Sequence, residues 1–189
     1  MRVIAGRYKG RQLVAPSGEG TRPTMDRVKE ALFSILGDVV RGKRVLDLFS
    51  GAGTLGIEAL SRGAEEATFV EFRRGASEVL RRNLEQLPDA QFTIIVAPVE
   101  RVLPRLAHRR ARFDLVFLDP PYRMGLVTST INSLIHCHLL EPGGRIVAEH
   151  ESRFYPPKEF SGNLFLADRR TYGDTGIAIY SVLDGEIPT

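Results

Sequence analysis

Asp119-Pro120-Pro121-Tyr122 follows directly on an apolar run, and its residue types suit one task, the holding of an amino group. Two consecutive prolines end the run, lock the backbone and remove two N–H donors. What remains is a corner of acceptors, the Asp119 carboxylate and the Pro120 carbonyl, beside the aromatic ring of Tyr122. An exocyclic nitrogen of a nucleobase is a poor nucleophile because its lone pair is delocalised into the ring. Two acceptors on its hydrogens pull it towards a pyramidal geometry and return the lone pair, while a stacked tyrosine contributes about 1–3 kcal/mol. Group transfer to such a nitrogen then needs alignment more than acid–base chemistry. Read alone, the four residues also fit a strand-ending turn with a solvated acid and a packed tyrosine.

A second cluster lies upstream. Gly51, Gly53 and Gly56 form G-x-G-x-x-G behind the apolar run Val45-Leu46-Asp47-Leu48-Phe49, and the acid Glu71 ends the next such run. Taken by itself this is also the dinucleotide fingerprint, in which the turn and helix N-terminus hold a pyrophosphate. Asp47 argues otherwise, because a carboxylate there repels phosphate and favours a cation. S-adenosylmethionine carries an ammonium and a sulfonium and no phosphate. The expected donor is therefore S-adenosylmethionine, with Asp47 facing its charges, Gly51 and Gly53 letting the backbone approach it, and Glu71 accepting from both ribose hydroxyls.

Positioning these groups takes a parallel sheet. Strand-like runs at 44–49, 67–71, 92–97, 113–119 and 145–149 alternate with amphipathic stretches at 53–62, 73–86, 99–107 and 125–138. That rhythm predicts βαβ units with helices on both faces, and ligands bound beyond the strand C-termini at the point where strand order reverses. The runs 164–169 and 176–183, joined by Tyr172-Gly173-Asp174-Thr175, predict a terminal antiparallel hairpin. In front, 2–5 and 11–15 look like two short strands of a basic hairpin, and Thr24 stands where an N-cap is expected for a helix carrying Val28, Ala31, Leu32 and Ile35. The predicted organisation is a basic extension, 1–24, on one α/β domain, 25–189.

Composition is that of an ordinary globule of 189 residues, 43% hydrophobic and 26% charged. No apolar run approaches the roughly 20 residues of a membrane helix, and the single cysteine, Cys137, fits a reducing compartment. The net charge of +3 is uneven: residues 1–44 hold ten lysines and arginines against four acids, a local +6 that leaves −3 for the rest. Arg2, Arg7, Lys9 and Arg11 are the expected contacts to a polyanion, although a solvated basic segment gives the same balance.

The chain as a whole resembles the nucleotide-amine class of Rossmann-like methyltransferases and, more narrowly, the RsmD-type bacterial enzymes. The narrower likeness rests on Arg2-Val3-Ile4-Ala5-Gly6 with Gly10-Arg11, on the Arg22-Pro23-Thr24 block and the helix behind it, and on Val147-Ala148-Glu149-His150. It implies an α/β class I methyltransferase fold, a mostly parallel seven-stranded sheet with a C-terminal antiparallel hairpin. It also implies S-adenosylmethionine as donor, bound by Asp47, Gly51, Gly53 and Glu71 with Arg22 and Thr24 at the pocket mouth. Asp119, Pro120 and Tyr122 are then the catalytic corner. The implied substrate is N2 of a guanine in 16S ribosomal RNA, the one at position 966, methylated by a cytoplasmic monomer that needs no metal. Methylation of adenine N6, or of a glutamine amide, uses the same corner and stands as the alternative, as does an inactive RNA-binding module, which would be expected to lose these acids and Tyr122.

Three features carry less. His136-Cys137-His138 falls late in a helix, where i and i+2 side chains diverge, so packing explains it better than a metal. Glu149-His150-Glu151 ends a strand beside the expected site and could touch a guanine edge or be solvated. Ala97-Pro98-Val99-Glu100, where this class often shows an acid or amide near adenine, leaves the adenine contacts open.

Overall fold

The computed structural model describes residues 1–15, 23–121 and 125–183. Its centre is a sheet of eight strands in the order β3-β2-β1-β4-β5-β8-β7-β6. Five are parallel: β1 (Arg44–Leu48), β2 (Glu66–Val70), β3 (Phe92–Ile95), β4 (Phe113–Leu118) and β5 (Leu140–Glu151). The helices α2 (Thr54–Ser61), α3 (Arg74–Glu85), α4 (Val99–His108) and α5 (Leu126–His136) connect them. The remaining three are antiparallel: β8 (Thr175–Val182) pairs with β5, β7 (Leu164–Tyr172) with β8, and the two-residue β6 (Glu159–Phe160) with β7. The expected Rossmann-like sheet and C-terminal hairpin are thus present. The count of seven strands is corrected to eight, because a two-residue strand has too little pattern to read.

Side chains of successive strand residues point to opposite faces, and each face is closed by its own helices. Val45, Phe69, Leu115 and Phe117 pack with α1 (Pro23–Leu36), α2 and α3. Leu46, Leu48, Val70, Val116 and Leu118 pack with α4 and α5. This two-sided burial is why the strands read as unbroken apolar runs. Register then aligns their ends: Leu48 lies opposite Val70 of β2 and Leu118 of β4. Glu71 and Asp119, each one residue further on, consequently emerge at the C-terminal edge on either side of the end of β1.

The N-terminal segment pairs antiparallel as expected, at one bridge, Arg2 to Gln12, flanked by backbone bonds from the Val3, Gly10 and Leu13 N–H groups to the Arg11, Val3 and Met1 carbonyls, too few for named strands. Its order comes from the body of the protein. Val3, Tyr8 and Leu13 join the core shared with α1 and α2. The fully buried Glu58 of α2 accepts the Ile4 and Ala5 N–H groups at 2.8 and 3.1 Å, the Arg62 Nε at 2.9 Å, and lies 3.4 Å from Lys29 Nζ. Lys29 in turn donates to the Arg2 carbonyl at 2.6 Å. At Gly6, with φ +85°, any Cβ would collide with the Ser61 carbonyl, so only glycine lets the segment lie this close to α2. The helix α1 opens at Pro23, where a missing N–H is harmless. Thr24 is therefore its second residue and not the expected cap.

Removing one member of a buried ion pair leaves the other uncompensated, which costs about 3–5 kcal/mol. Glu58→Ala strands Lys29, Arg62 and two backbone N–H groups together. It is expected to lower the stability measured by urea unfolding by at least that range, with early hydrogen exchange at Ile4 and Ala5.

Candidate active site

The glycine loop, 49–53, is held from beneath by side chains of β1 and β2. Ser50 Oγ donates to the Asp47 carbonyl at 2.6 Å and accepts from the Val70 N–H at 3.0 Å. Glu71, almost fully buried, accepts the Gly51 N–H at 2.9 Å through one oxygen and the Arg73 N–H at 2.8 Å through the other. Asp47, equally buried, accepts the Gly56 N–H at 2.9 Å in the first turn of α2. Asn83 of α3 donates to the Ala52 carbonyl at 3.0 Å and pairs with both backbone groups of Val14, joining the loop to the N-terminal segment. The turn also needs unusual backbone: Phe49 at φ 62° is a non-glycine residue in the left-handed region, a conformation kept where surroundings over-determine it.

Above the loop opens a cleft of about 320 Å³, bordered among others by Phe49, Gly51, Glu71, Phe72, Asp119 and Pro120. Gly51, with φ 52°, has open space where a side chain would stand, so its backbone is bare to whatever occupies the cleft. Gly53 (φ +82°) turns the other way, and a Cβ there would strike Leu80. Asp47 and Gly53 therefore lie behind the cleft wall, while Gly51, Glu71, Asp119 and Pro120 line it. Asp47 acts on the cleft through the loop it pins and through its charge. Burial, opposed by the Gly56 N–H and reinforced by the charges of Asp119 and Glu71, pushes its carboxyl up to about 7.

This arrangement discriminates between the two cofactor classes. A pyrophosphate needs the free N–H groups of the turn and helix N-terminus. Here the Gly51 and Gly56 N–H groups already donate to carboxylates. Two acids, Glu71 and Asp119, line the cleft instead, with the buried Asp47 behind its wall, so it fits a cationic donor.

A second cavity of about 230 Å³ adjoins the first, and the two share Pro120 and Pro121. Glu149, His150 and Glu151 line it together with Phe154 and Tyr155. His150 is buried, its Nδ1 lies 2.7 Å from the Glu151 carbonyl, and its ring meets Phe154 edge-on at 5.5 Å. Burial, helped by the charge of Arg169, holds its pKa below the usual imidazole value.

Known proteins resemble the chain along most of its length. The model of the family described as "Conserved hypothetical protein 95" matches residues 1–181. YlbH of Bacillus subtilis (strain 168) is 42% identical over 181 residues, covering 95% of this chain and 98% of its own. The Ribosomal RNA small subunit methyltransferase D of Escherichia coli (strain K12) is 40% identical over 149 residues, 79% of this chain and 71% of that protein. The chain belongs to this family, the RsmD-type ribosomal RNA methyltransferases. The solved structure of Escherichia coli yhhF superposes with a TM-score of 0.85 at 34% identity, covering 98% and 99% of the two chains. The Thermus thermophilus 16S rRNA N2 G1207 methyltransferase RsmC, solved with AdoMet and guanosine, gives 0.68 at 25% identity over 87% of this chain and 44% of that one.

Of the residues expected from sequence, Arg22 and Tyr122 lie outside the described residues, and Thr24 is placed only by its backbone in α1. Arg2, Arg7, Lys9 and Arg11 are all exposed, and Met1 beside them lines the cleft. Arg7 also pairs with Asp89 at 2.8 Å. The helix α5 ends at His136, so Cys137 caps it and His138 lies beyond it at φ 50°. Sequence reasoning missed Phe72, an aromatic 55% exposed on the cleft rim, and the buried ties Ser50 and Asn83. Phe72 could have been found from its place directly after Glu71, whereas Asn83 looks like any polar residue of an amphipathic helix.

The sign of the Asp47 titration gives a test. Its carboxylate attracts a cationic donor only when ionised, so affinity for S-adenosylmethionine should rise between pH 6 and 7.5, by up to about 10-fold, while the donor's ammonium keeps most of its charge. Asp47→Asn, which preserves an acceptor for the Gly56 N–H, should bind the donor more weakly and with no such slope. Titration calorimetry at several pH values measures both.

Proposed function

We propose that this protein transfers a methyl group from S-adenosylmethionine to the exocyclic N2 of a guanine in 16S ribosomal RNA, the guanine at position 966. The observation that carries the reading is the meeting of two cavities at Pro120-Pro121, one walled by the pinned glycine loop and acids, the other by aromatics and acceptors. Family membership supports the class of reaction, and the name of the Escherichia coli relative supports ribosomal RNA as substrate.

When bound, the donor supplies an electrophilic methyl on a sulfonium. Gly51 and Glu71 hold it in the cleft, Phe72 covers its adenine, and Arg22 and Thr24 close the mouth. Asp119 and the Pro120 carbonyl accept the two N2 hydrogens of the target base, and Tyr122 stacks on its ring. The nitrogen forms its bond to the methyl carbon as the sulfonium bond breaks, leaving a neutral thioether, and then passes one proton to the Asp119 carboxylate that holds it. Alignment across the Pro120-Pro121 corner supplies most of the catalysis. A base inside folded RNA must first be flipped out, at a cost of a few kcal/mol. Phosphate contacts from Arg2, Arg7, Lys9 and Arg11 offset that cost, and the exposed Arg7–Asp89 pair is weak enough to open for them. The protein acts as a cytoplasmic monomer on RNA that is free or in an assembling small subunit.

Transfer of tritiated methyl to 16S RNA, free and in small subunits, followed by nucleoside separation, should give N2-methylguanosine. N6-methyladenosine as the product would replace the substrate assignment. Asp119→Ala should lower turnover by about 100-fold or more with little change in donor affinity. Near-normal turnover would remove the corner from the mechanism. Changing Arg2, Arg7, Lys9 and Arg11 to Ala should weaken RNA binding and flatten its salt dependence, roughly in proportion to the positive charge removed. Donor binding should survive, and an unchanged salt slope in a folded variant would leave the segment a packing role only.

A further inference from the structure

Residues 101–112 hold five arginines, Arg101, Arg105, Arg109, Arg110 and Arg112, and no acid, in a body that sums to −3 outside residues 1–44. Helix α4 and its cap bury Val99, Val102, Leu103 and Leu106 and leave Arg101, Arg105 and Arg109 exposed. Spaced at i, i+4 and i+8, these three form one stripe along the helix. Among the described residues none of the five arginines enters an ion pair.

Such a stripe works against its own helix, because like charges at i and i+4 repel. The macrodipole favours arginines in the last turn, yet Arg101 stands in the first, at the positive end. Helix α3 shows the ordinary solvated surface. There Arg74, Glu78 and Arg82, and Arg81 with Glu85, alternate in sign at the same spacing, all of them exposed. The basic surface also continues past the end of α4. Both α4 and α5 are followed by a basic residue in the left-handed region, Arg110 at φ 56° and His138 at φ 50°, where glycine is the unstrained choice. With Arg112 and His136 these two line a cavity of about 580 Å³. Its described wall holds no carboxylate and no phenyl, phenol or indole ring.

Guanidinium forks without acids or stacking rings suit phosphates and leave bases unread. Their placement fits an RNA backbone leaving the site. Helix α4 runs from the C-terminal edge of the sheet, where β3 ends, to the opposite edge, where β4 begins. The stripe therefore starts at the edge that carries the donor cleft and leads away from it for about 15 Å. It lies on the sheet face closed by α4 and α5, whereas Arg2, Arg7, Lys9 and Arg11 belong to a segment packed on the other face. Resting on the RNA-substrate reading above, we infer that the α4 stripe and the Arg110–Arg112 corner are a second RNA-backbone contact surface. It holds RNA leading away from the target nucleotide, on the face opposite the N-terminal arginines, and adds affinity without reading sequence.

The test changes Arg101, Arg105 and Arg109 together to Gln, a residue of similar helix propensity, and measures binding of 16S RNA, free and in small subunits, over a range of salt. At about 0.1 M salt the dissociation constant should rise about 10-fold or more, and the slope of log affinity against log salt should shrink by about 2. S-adenosylmethionine affinity by calorimetry should not change. A second variant, Arg110→Gly, puts the unstrained residue at the left-handed position. It should unfold at a higher temperature than wild type and still bind RNA about 3-fold more weakly, a pairing that a purely structural role does not produce. Unchanged RNA affinity and salt slope in both variants overturns the inference. Vesicles of phosphatidylserine and phosphatidylcholine that bind wild-type protein but not the triple variant, with RNA affinity unmoved, would give the surface to a membrane instead. Failure of the functional reading is distinguishable, since the wild-type protein would then itself show no salt-dependent binding to 16S RNA.

Discussion

Two carboxylates, Asp47 and Glu71, hold the backbone N–H groups of the glycine loop, and the rest of the site depends on that. In a dinucleotide-binding fold the same N–H groups wait for phosphate. Here Glu71 takes Gly51 and Asp47 takes Gly56, so the loop is shaped without ligand and the local field is negative. Keeping an acid like Asp47 buried has a consequence for the fold. The unfolded carboxyl titrates near about 3.9, whereas the folded one is pushed up to about 7. The folded state thus holds an additional proton between those values and loses stability as pH rises through them. A bound cation offsets this, which couples donor binding to stability.

The N-terminal segment belongs to the same construction. Glu58, Ser61 and Asn83 take up its backbone groups, and Asn83 reaches the loop at the same time. A stretch with one bridge and no strand ladder is thereby fixed against α2 and α3, with its arginines on the surface and Met1 at the cleft. Its basic charge is presented by a rigid base that shares atoms with the donor site.

Pro120 and Pro121 form the partition between two chambers of different character. On one side stand Glu71, Asp119 and the bare backbone at Gly51, on the other His150, Phe154 and Tyr155, on whose ring Arg169 stacks. Strand β4 delivers the partition at the reversal of strand order, between β1 and β5. Both chambers are therefore walled by strands hydrogen-bonded to the same partner, and the distance between them is set by sheet register.

The local chemistry was legible in the sequence. Asp47 with its glycines and Glu71 announced a strand, a turn and a helix start, and Asp119-Pro120-Pro121 a strand end, because residue type and spacing along one strand or turn fix the local backbone and which groups are donors and acceptors. Buried parallel strands also announce themselves as apolar runs between amphipathic helices, so the sheet and its terminal hairpin followed. What the sequence could not hold was anything made between distant segments. The N-terminal arms read as paired strands and do bond to one another, yet Ile4, Ala5 and Val14 turn their N–H groups to Glu58 and Asn83, which only packing brings near. Asp47 read as a ligand to the donor, yet it lies behind the wall, because register and the turn of α2 decide which way a strand end faces. Nor could the sequence show that β7 sets Arg169 over the turn after β5, stacked on Tyr155. Chemistry within a motif is a property of the chain; which motifs share a cavity is a property of the sheet that closes around them.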